Sequence, residues 1–246
     1  MRSLRIAFGL MTTLPFRLPD DWSEGDSGRA AVWYPFVGLV IGALIWLSWK
    51  ATILLFPPLV AGVIALIVWV SLTGGLHLDG LADCCDGLFA SASVERRLEI
   101  MKDPHMGAFG VIGLILVLFL KVATLASLAS LTPASSFGIL LAASLARWCI
   151  LPAGLLPLAR PSGSGMGADF ASGFRYSFIF WGAIIPLVIA ILLGLRGILS
   201  ILAGLGAAGS VLWLAKSRIG GVTGDVFGMV VEIVEAVVLL AFLIGA

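Results

Sequence analysis

Charge is what this chain has least of. Only 12% of its 246 residues are Asp, Glu, Lys or Arg, about half of the roughly 25% usual in soluble domains. Its hydrophobic residues reach 60% and its mean hydropathy is +1.12. An ordinary soluble domain is excluded. The net charge of +1 gives no basic face, so nucleic acid is not an expected partner. Cysteine is also scarce: Cys84, Cys85 and Cys149 make no disulfide framework, and the adjacent pair lacks the C-x2-C spacing of a zinc site. The three suit a reducing compartment and small-residue packing. The start, MRSLRIAFGLMTTLPF, is basic, but its apolar part is short and interrupted. It reads as an interfacial amphipathic helix rather than a signal peptide.

What is present are long apolar runs. About 20 such residues span a bilayer core, and seven segments qualify: Ala30 to Trp49, Pro58 to Leu76, Phe109 to Leu131, Phe137 to Leu158, Phe178 to Leu195, Ile198 to Ala215 and Val226 to Ile244. Runs of this length, without alternation, exclude a spanning β-barrel. The expected fold is all-α: a single domain over residues 1–246, a polytopic bundle of about seven spans (six to eight). Basic residues orient it. With the N-terminus inside, the inner segments hold Arg2, Arg5, Arg17, Arg29, Arg96, Arg97, Lys102, Arg160, Arg175, Lys216 and Arg218, and the outer ones only Lys50 and Arg196. Every acidic residue then falls on or near the cytosolic side.

The acids are concentrated. TGGLHLDGLADCCDGLF, residues 73–89, sets Asp79, Asp83 and Asp86 at i, i+4 and i+7, one face of a helix. Charges removed from water lose several kcal/mol of solvation, and like charges on one stripe repel. Glycines, not Lys or Arg, bracket them. A cation between the carboxylates relieves that repulsion, and an oxygen-only set favours a hard ion such as Mg²⁺. The plainer alternative is a solvated helix cap.

Three more cytosolic stretches carry polar chemistry. In residues 93–110, Glu95, Arg96, Arg97 and Glu99 read as a solvated turn, whereas Lys102, Asp103 and His105 before a glycine could bind phosphate and metal. RPSGSGMGADFASGFR, residues 160–175, is either a phosphate-cradling loop or a flexible linker. In residues 216–235, Asp225 follows a glycine-rich turn, and Glu232 and Glu235 share a helix face inside an apolar span. Acids inside a span are functional candidates, unless they pair with Lys121 or Arg147, the two bases within spans. His77 is a candidate base or phosphate donor, with a structural histidine as the alternative. Together these residues point to metal-assisted phosphoryl or phosphodiester transfer.

GGLHLDGLADCCDGLF (74–89), LEIMKDPHMGAFG (98–110) and GGVTGDVFGMVVEIVE (220–235) resemble the cobalamin synthase family, the adenosylcobinamide-GDP ribazoletransferases. The resemblance runs over nearly the whole chain. It implies an Mg²⁺-dependent enzyme of the bacterial inner membrane, its site facing the cytosol. In that reaction α-ribazole, or its 5′-phosphate, attacks adenosylcobinamide-GDP and GMP leaves. It further implies that Asp79, Asp83, Asp86 and Asp225 hold the metal, and that His77, Asp86 and Asp103 take part in catalysis. Lys102, His105, Arg160, Gly75 and Gly221 would bind substrate, and Glu232 would be a further acid. The family's turn after Lys102-Asp103 often carries Ser then Arg, where this chain has Pro104 and His105. A CDP-alcohol phosphotransferase fits less well, because Asp83 stands where its motif expects Arg. An ion-coupled transporter would spread acids through the membrane depth. Homo-oligomerisation is left open.

Overall fold

A computed structural model describes residues 1–131, 133–159 and 166–244, with only the backbone of Pro133 and Met166. Arg160 lies outside the described residues. The helices are α1 (Arg2–Met11), α2 (Asp26–Ala30), α3 (Tyr34–Thr52), α4 (Pro58–Thr73), α5 (Leu76–Phe89), α6 (Val94–Ile100), α7 (Ala108–Ser127), α8 (Gly138–Trp148), α9 (Ile150–Ala153), α10 (Met166–Gly173), α11 (Ser177–Leu192), α12 (Gly194–Ile219) and α13 (Gly224–Ala241). An isolated parallel bridge joins Leu158 to Val222. The all-α fold class follows directly.

α8 and α13 form the centre. α13 packs on α5, α7, α8 and α12, while α8 is also flanked by α3 and α11. α13 starts cleanly because the Thr223 side chain accepts the Val226 N–H, an N-cap. The outer helices turn apolar side chains outward: Phe119 is 76% exposed, Phe180 75% and Trp213 71%. Apolar surface of that extent marks contact with lipid or partners rather than water.

By length and apolarity, four helices can cross a membrane: Asp26–Thr52, Ala108–Ser130, Ala134–Ala153 and Gly194–Ile219. Two bent pairs, Pro58–Thr73 with Leu76–Phe89 (91°) and Gly167–Gly173 with Ser177–Leu192 (101°), raise the number to six if each is one crossing. All seven expected segments are helical, but the structure supports four to six crossings. The difference lies in the two bent pairs and in α13. Gly74 and Gly75 take φ of +64° and +72°, a left-handed conformation that costs other residues about 1–2 kcal/mol each. They stop α4 at Thr73 and turn α5 sideways, where a further straight turn had been expected. α13, with three carboxylates in its 18 residues, does not qualify on composition.

α1 lies against α2 and α3, burying Ile6, Ala7, Phe8 and Met11 while Arg5 stays exposed. This is the one-sided burial expected of the amphipathic start.

Candidate functional site

α5 carries the carboxylate stripe as its spacing predicts. From Asp79 to Leu88 every residue is buried except Asp79, Asp83 and Asp86. The opposite face packs on α13 through glycine. A Cβ on Gly80 would sit 2.8 Å from the Asp225 carbonyl oxygen, and one on Gly228 would sit 3.0 Å from that of His77. Small residues let helix backbones approach, and here the approach brings Asp225 to the stripe. Asp83 accordingly lies within electrostatic reach of Asp79, Asp225 and Asp86.

Two hollows meet at the start of α5. One, about 160 Å³, is lined by Tyr34, His77, Asp79, Phe170, Asp225 and Phe227 among others. The second, more open and about 480 Å³, is lined by Gly74, Gly75, Leu76, Leu78, Asp79, Met106 and Leu114. Leu76 and Asp79 line both. Asp79 therefore stands between two spaces. Gly75, from the expected substrate-binding set, lines the second.

The remaining expected residues divide. Asp86 accepts the backbone N–H of Gly107 at 2.7 Å and of Gly110 at 2.9 Å, one on each oxygen. A carboxylate at the first turn of α7 is favoured by its unpaired N–H groups and its dipole. Asp86 thus anchors α7 to α5. Asp103 accepts both the backbone N–H of His105 (2.9 Å) and a contact from its Nδ1 (2.7 Å). The backbone bond first, then the ring, hold the Asp103 carboxyl below its usual range. Lys102, Asp103 and His105 all lie exposed on the turn before Met106. Gly221 is buried: its neighbour Val222 donates its N–H to the Pro157 carbonyl and accepts that of Ala159, so Gly221 serves the packing of two loops.

Glu232 and Glu235 sit apart from the stripe, in the ion-pair alternative. Lys121 reaches Glu232 at 2.6 Å and also contacts Glu235, which in turn meets Arg147. All four are buried. Charges without water are stable only when paired, and this network ties α7, α8 and α13 together. The Lys121 ammonium also stands 4.7 Å from the Trp69 ring centroid, a cation–π contact. His77, buried within reach of Arg147, Glu235 and Lys121, lines the first hollow and lies between network and stripe.

The chemistry of the stripe fits a hard cation. Among the described residues, no three His, Cys, Asp or Glu side chains converge into a ready metal shell. Mg²⁺ does not demand one, since it is commonly held by one or two carboxylates with waters and substrate phosphates.

Sequence reasoning missed Asp169. Its carboxylate accepts from the Gly25 N–H (2.7 Å), the Ser27 N–H (3.0 Å) and the Ser27 hydroxyl (2.5 Å), strapping α10 to α2. The only signal was a single acid in a loop otherwise rich in Gly and Ser. The Tyr34, Phe170 and Phe227 walls were equally hidden, because aromatics in an apolar chain read as core.

The cobalamin-5-phosphate synthase family model matches residues 3–243. An adenosylcobinamide-GDP ribazoletransferase of Desulfitobacterium hafniense is 36% identical, over 100% of this chain and 96% of the relative. Relatives of the same name from Brevibacillus brevis and Stutzerimonas stutzeri are each 38% identical, over 94% and 98% of this chain and 94% and 97% of theirs. No solved structure matches. A match over nearly the full length, carrying the motifs that build the stripe and its α13 partner, shows that the chain belongs to the cobalamin-5-phosphate synthase family.

Proposed function

We propose that this protein is an adenosylcobinamide-GDP ribazoletransferase, acting at the carboxylate end of the bundle. The observation that carries the reading is the placing of Asp79 between two hollows, with Asp83 and Asp225 beside it. A reaction joining two large molecules at one phosphorus needs such a junction. A ribose hydroxyl oxygen of α-ribazole (or its 5′-phosphate) bonds to the cobinamide-side phosphorus. The bridging P–O bond breaks and its electron pair leaves with GMP, while the hydroxyl proton passes to a carboxylate or to water.

Asp79, Asp83 and Asp225 are the residues that would hold Mg²⁺. Bound there, the ion would neutralise phosphate charge and polarise the phosphorus centre. Asp86 orders α7 beside them. Lys102, on the exposed turn before Met106, is placed to attract an incoming diphosphate. His105 donates its backbone N–H to Asp103, and the same turn is fixed mainly by that carboxylate. The basic-residue bias favours the cytosolic side of the inner membrane for this end of the bundle, where soluble substrates arrive.

The test is GMP release by the protein in lipid, given adenosylcobinamide-GDP and α-ribazole 5′-phosphate, with Mg²⁺ or with EDTA. Mg²⁺-dependent release that Asp79→Asn and Asp83→Asn reduce by about a hundredfold or more is expected, the scale of losing an electrostatic contact to the transition state. Wild-type protein that is folded yet releases no GMP would remove the assignment.

A further inference from the structure

The smaller hollow has a definite chemical character. Asp79 and Asp225 line it together with the apolar side chains of Phe170, Phe227 and Ile150 and the ring of Tyr34. The Phe170 and Phe227 ring centroids are 5.2 Å apart at 56°, and Phe170 faces Tyr34 at 6.4 Å and 29°. These are the offset and tilted geometries that aromatic rings prefer. The wall is held by design of the backbone: Asp169, next in sequence to Phe170, is fixed by three donors from Gly25 and Ser27.

The polar groups of that wall are already engaged. The Tyr34 hydroxyl donates to the Ser27 carbonyl at 3.2 Å, and the Ser27 hydroxyl donates to Asp169. One group is not: the buried Nδ1 of His77 has no hydrogen-bond partner among the described residues. A buried polar atom left unpaired costs about 1–3 kcal/mol, so a ligand atom that pairs with it gains affinity.

Resting on the ribazoletransferase reading, we propose that this aromatic-walled cavity binds the azole base of the incoming α-ribazole, with Tyr34, Phe170 and Phe227 against its faces and edges. His77 is the hydrogen-bond partner of its free ring nitrogen. An N-glycosylated benzimidazole is planar, largely apolar and has one basic nitrogen, which matches an aromatic wall with one unpartnered histidine ring nitrogen beside it. Guanine, the other planar base in the reaction, carries an amide edge and an amino group. Here their donors could be met only by Asp79 or Asp225, the carboxylates that the reaction uses at phosphorus. The ribose of a base seated here points its hydroxyls to the carboxylate end. Asp169 is a positioning residue, setting Phe170.

The closing experiment measures steady-state GMP release from the full-length protein in lipid, varying each substrate in turn. Release by the wild type comes first and decides the ribazoletransferase reading on its own. Given that activity, free 5,6-dimethylbenzimidazole is added to the unmutated protein. Inhibition competitive with α-ribazole and not with adenosylcobinamide-GDP is expected. Competition with adenosylcobinamide-GDP would instead assign the cavity to guanine and overturn the proposal, as would no inhibition up to the solubility limit. In parallel, Phe170→Leu and Phe227→Leu are expected to raise KM for α-ribazole about tenfold and leave KM for adenosylcobinamide-GDP within about twofold, since removing binding shared by ground and transition states appears in KM. The Leu variants are scored only where their thermal midpoint matches wild type. Equal rises for both substrates would contradict the assignment. His77→Phe is expected to erase the preference for α-ribazole over an analogue whose base carries CH in place of the free nitrogen, and an unchanged preference would remove His77 from the site.

Discussion

Glu235 of α13 receives both Lys121 of α7 and Arg147 of α8, so one carboxylate joins three helices in the interior. Glu232, one helical turn earlier, takes the second contact of Lys121 at 2.6 Å. Removing the shared partner leaves buried Arg147 without a carboxylate and buried Lys121 with Glu232 alone. Glu235→Ala is expected to lower stability by about 3–5 kcal/mol, the scale for breaking a buried pair. Thermal or denaturant unfolding in detergent measures it. Replacing Arg147 with Met in the same chain should recover part of the loss, and an undiminished midpoint in Glu235→Ala would show that the network does not hold the core.

Asp86 makes a separable prediction. Asp86→Asn keeps one carbonyl oxygen for Gly107 or Gly110 but presents an amide NH₂ to the other donor. A charge-assisted bond is worth about 1.5–3 kcal/mol, so a loss of that order is expected, together with faster hydrogen exchange at the first amides of α7. If activity falls while exchange and midpoint stay at wild-type values, the anchoring role is wrong and a direct role at the metal is right.

At the α5–α13 crossing, Gly80→Ala places a methyl against the Asp225 backbone, 2.8 Å from its carbonyl oxygen. Neither helix backbone can yield cheaply, and overpacking of this kind costs about 1–3 kcal/mol. Because the forced separation moves Asp225 from the stripe, kcat is expected to fall more than the midpoint would suggest. An unaltered kcat would show that Asp225 is not needed near Asp83.

Much of this site was legible in local sequence and some was not. The i, i+4, i+7 spacing of Asp79, Asp83 and Asp86 needs only helix geometry, and the exposed stripe follows it residue by residue. The pairing of Glu232 and Glu235 with Lys121 and Arg147 was available as an alternative, since charges in apolar spans need partners. The partners of Asp86 lie 21 and 24 residues away and depend on how α7 docks, which no local rule contains. The bend between α4 and α5 was hidden for a related reason: hydropathy registers an apolar run but not the two left-handed glycines that turn it. The cavity wall draws on residues as distant as Tyr34 and Phe227, a purely tertiary grouping.

The turn before α7 predicts a pH response. Asp103 has its carboxyl held below its usual value by the His105 backbone N–H and ring. A lowered folded-state value contributes stability above the ordinary carboxylate value, and that contribution disappears as pH falls through the lowered one. The local order of residues 103–105 is therefore expected to persist at neutral pH and melt at the acid end. Amide chemical shifts of His105 followed between neutral and acid pH check this. In Asp103→Asn the His105 amide should show no such acid step, and a step surviving in that variant would assign it to another group.

α13 is a single uninterrupted helix that carries Asp225 in its first turn and Glu235 deep in the bundle, about 15 Å apart at 1.5 Å per residue. A helix transmits displacement along its axis with little give, so its two ends behave as the arms of one lever. The fulcrum is the glycine crossing with α5, and the load is the pair of bases gripping Glu235. A change in how the two bases hold Glu235 is therefore felt at Asp225 through the helix between them.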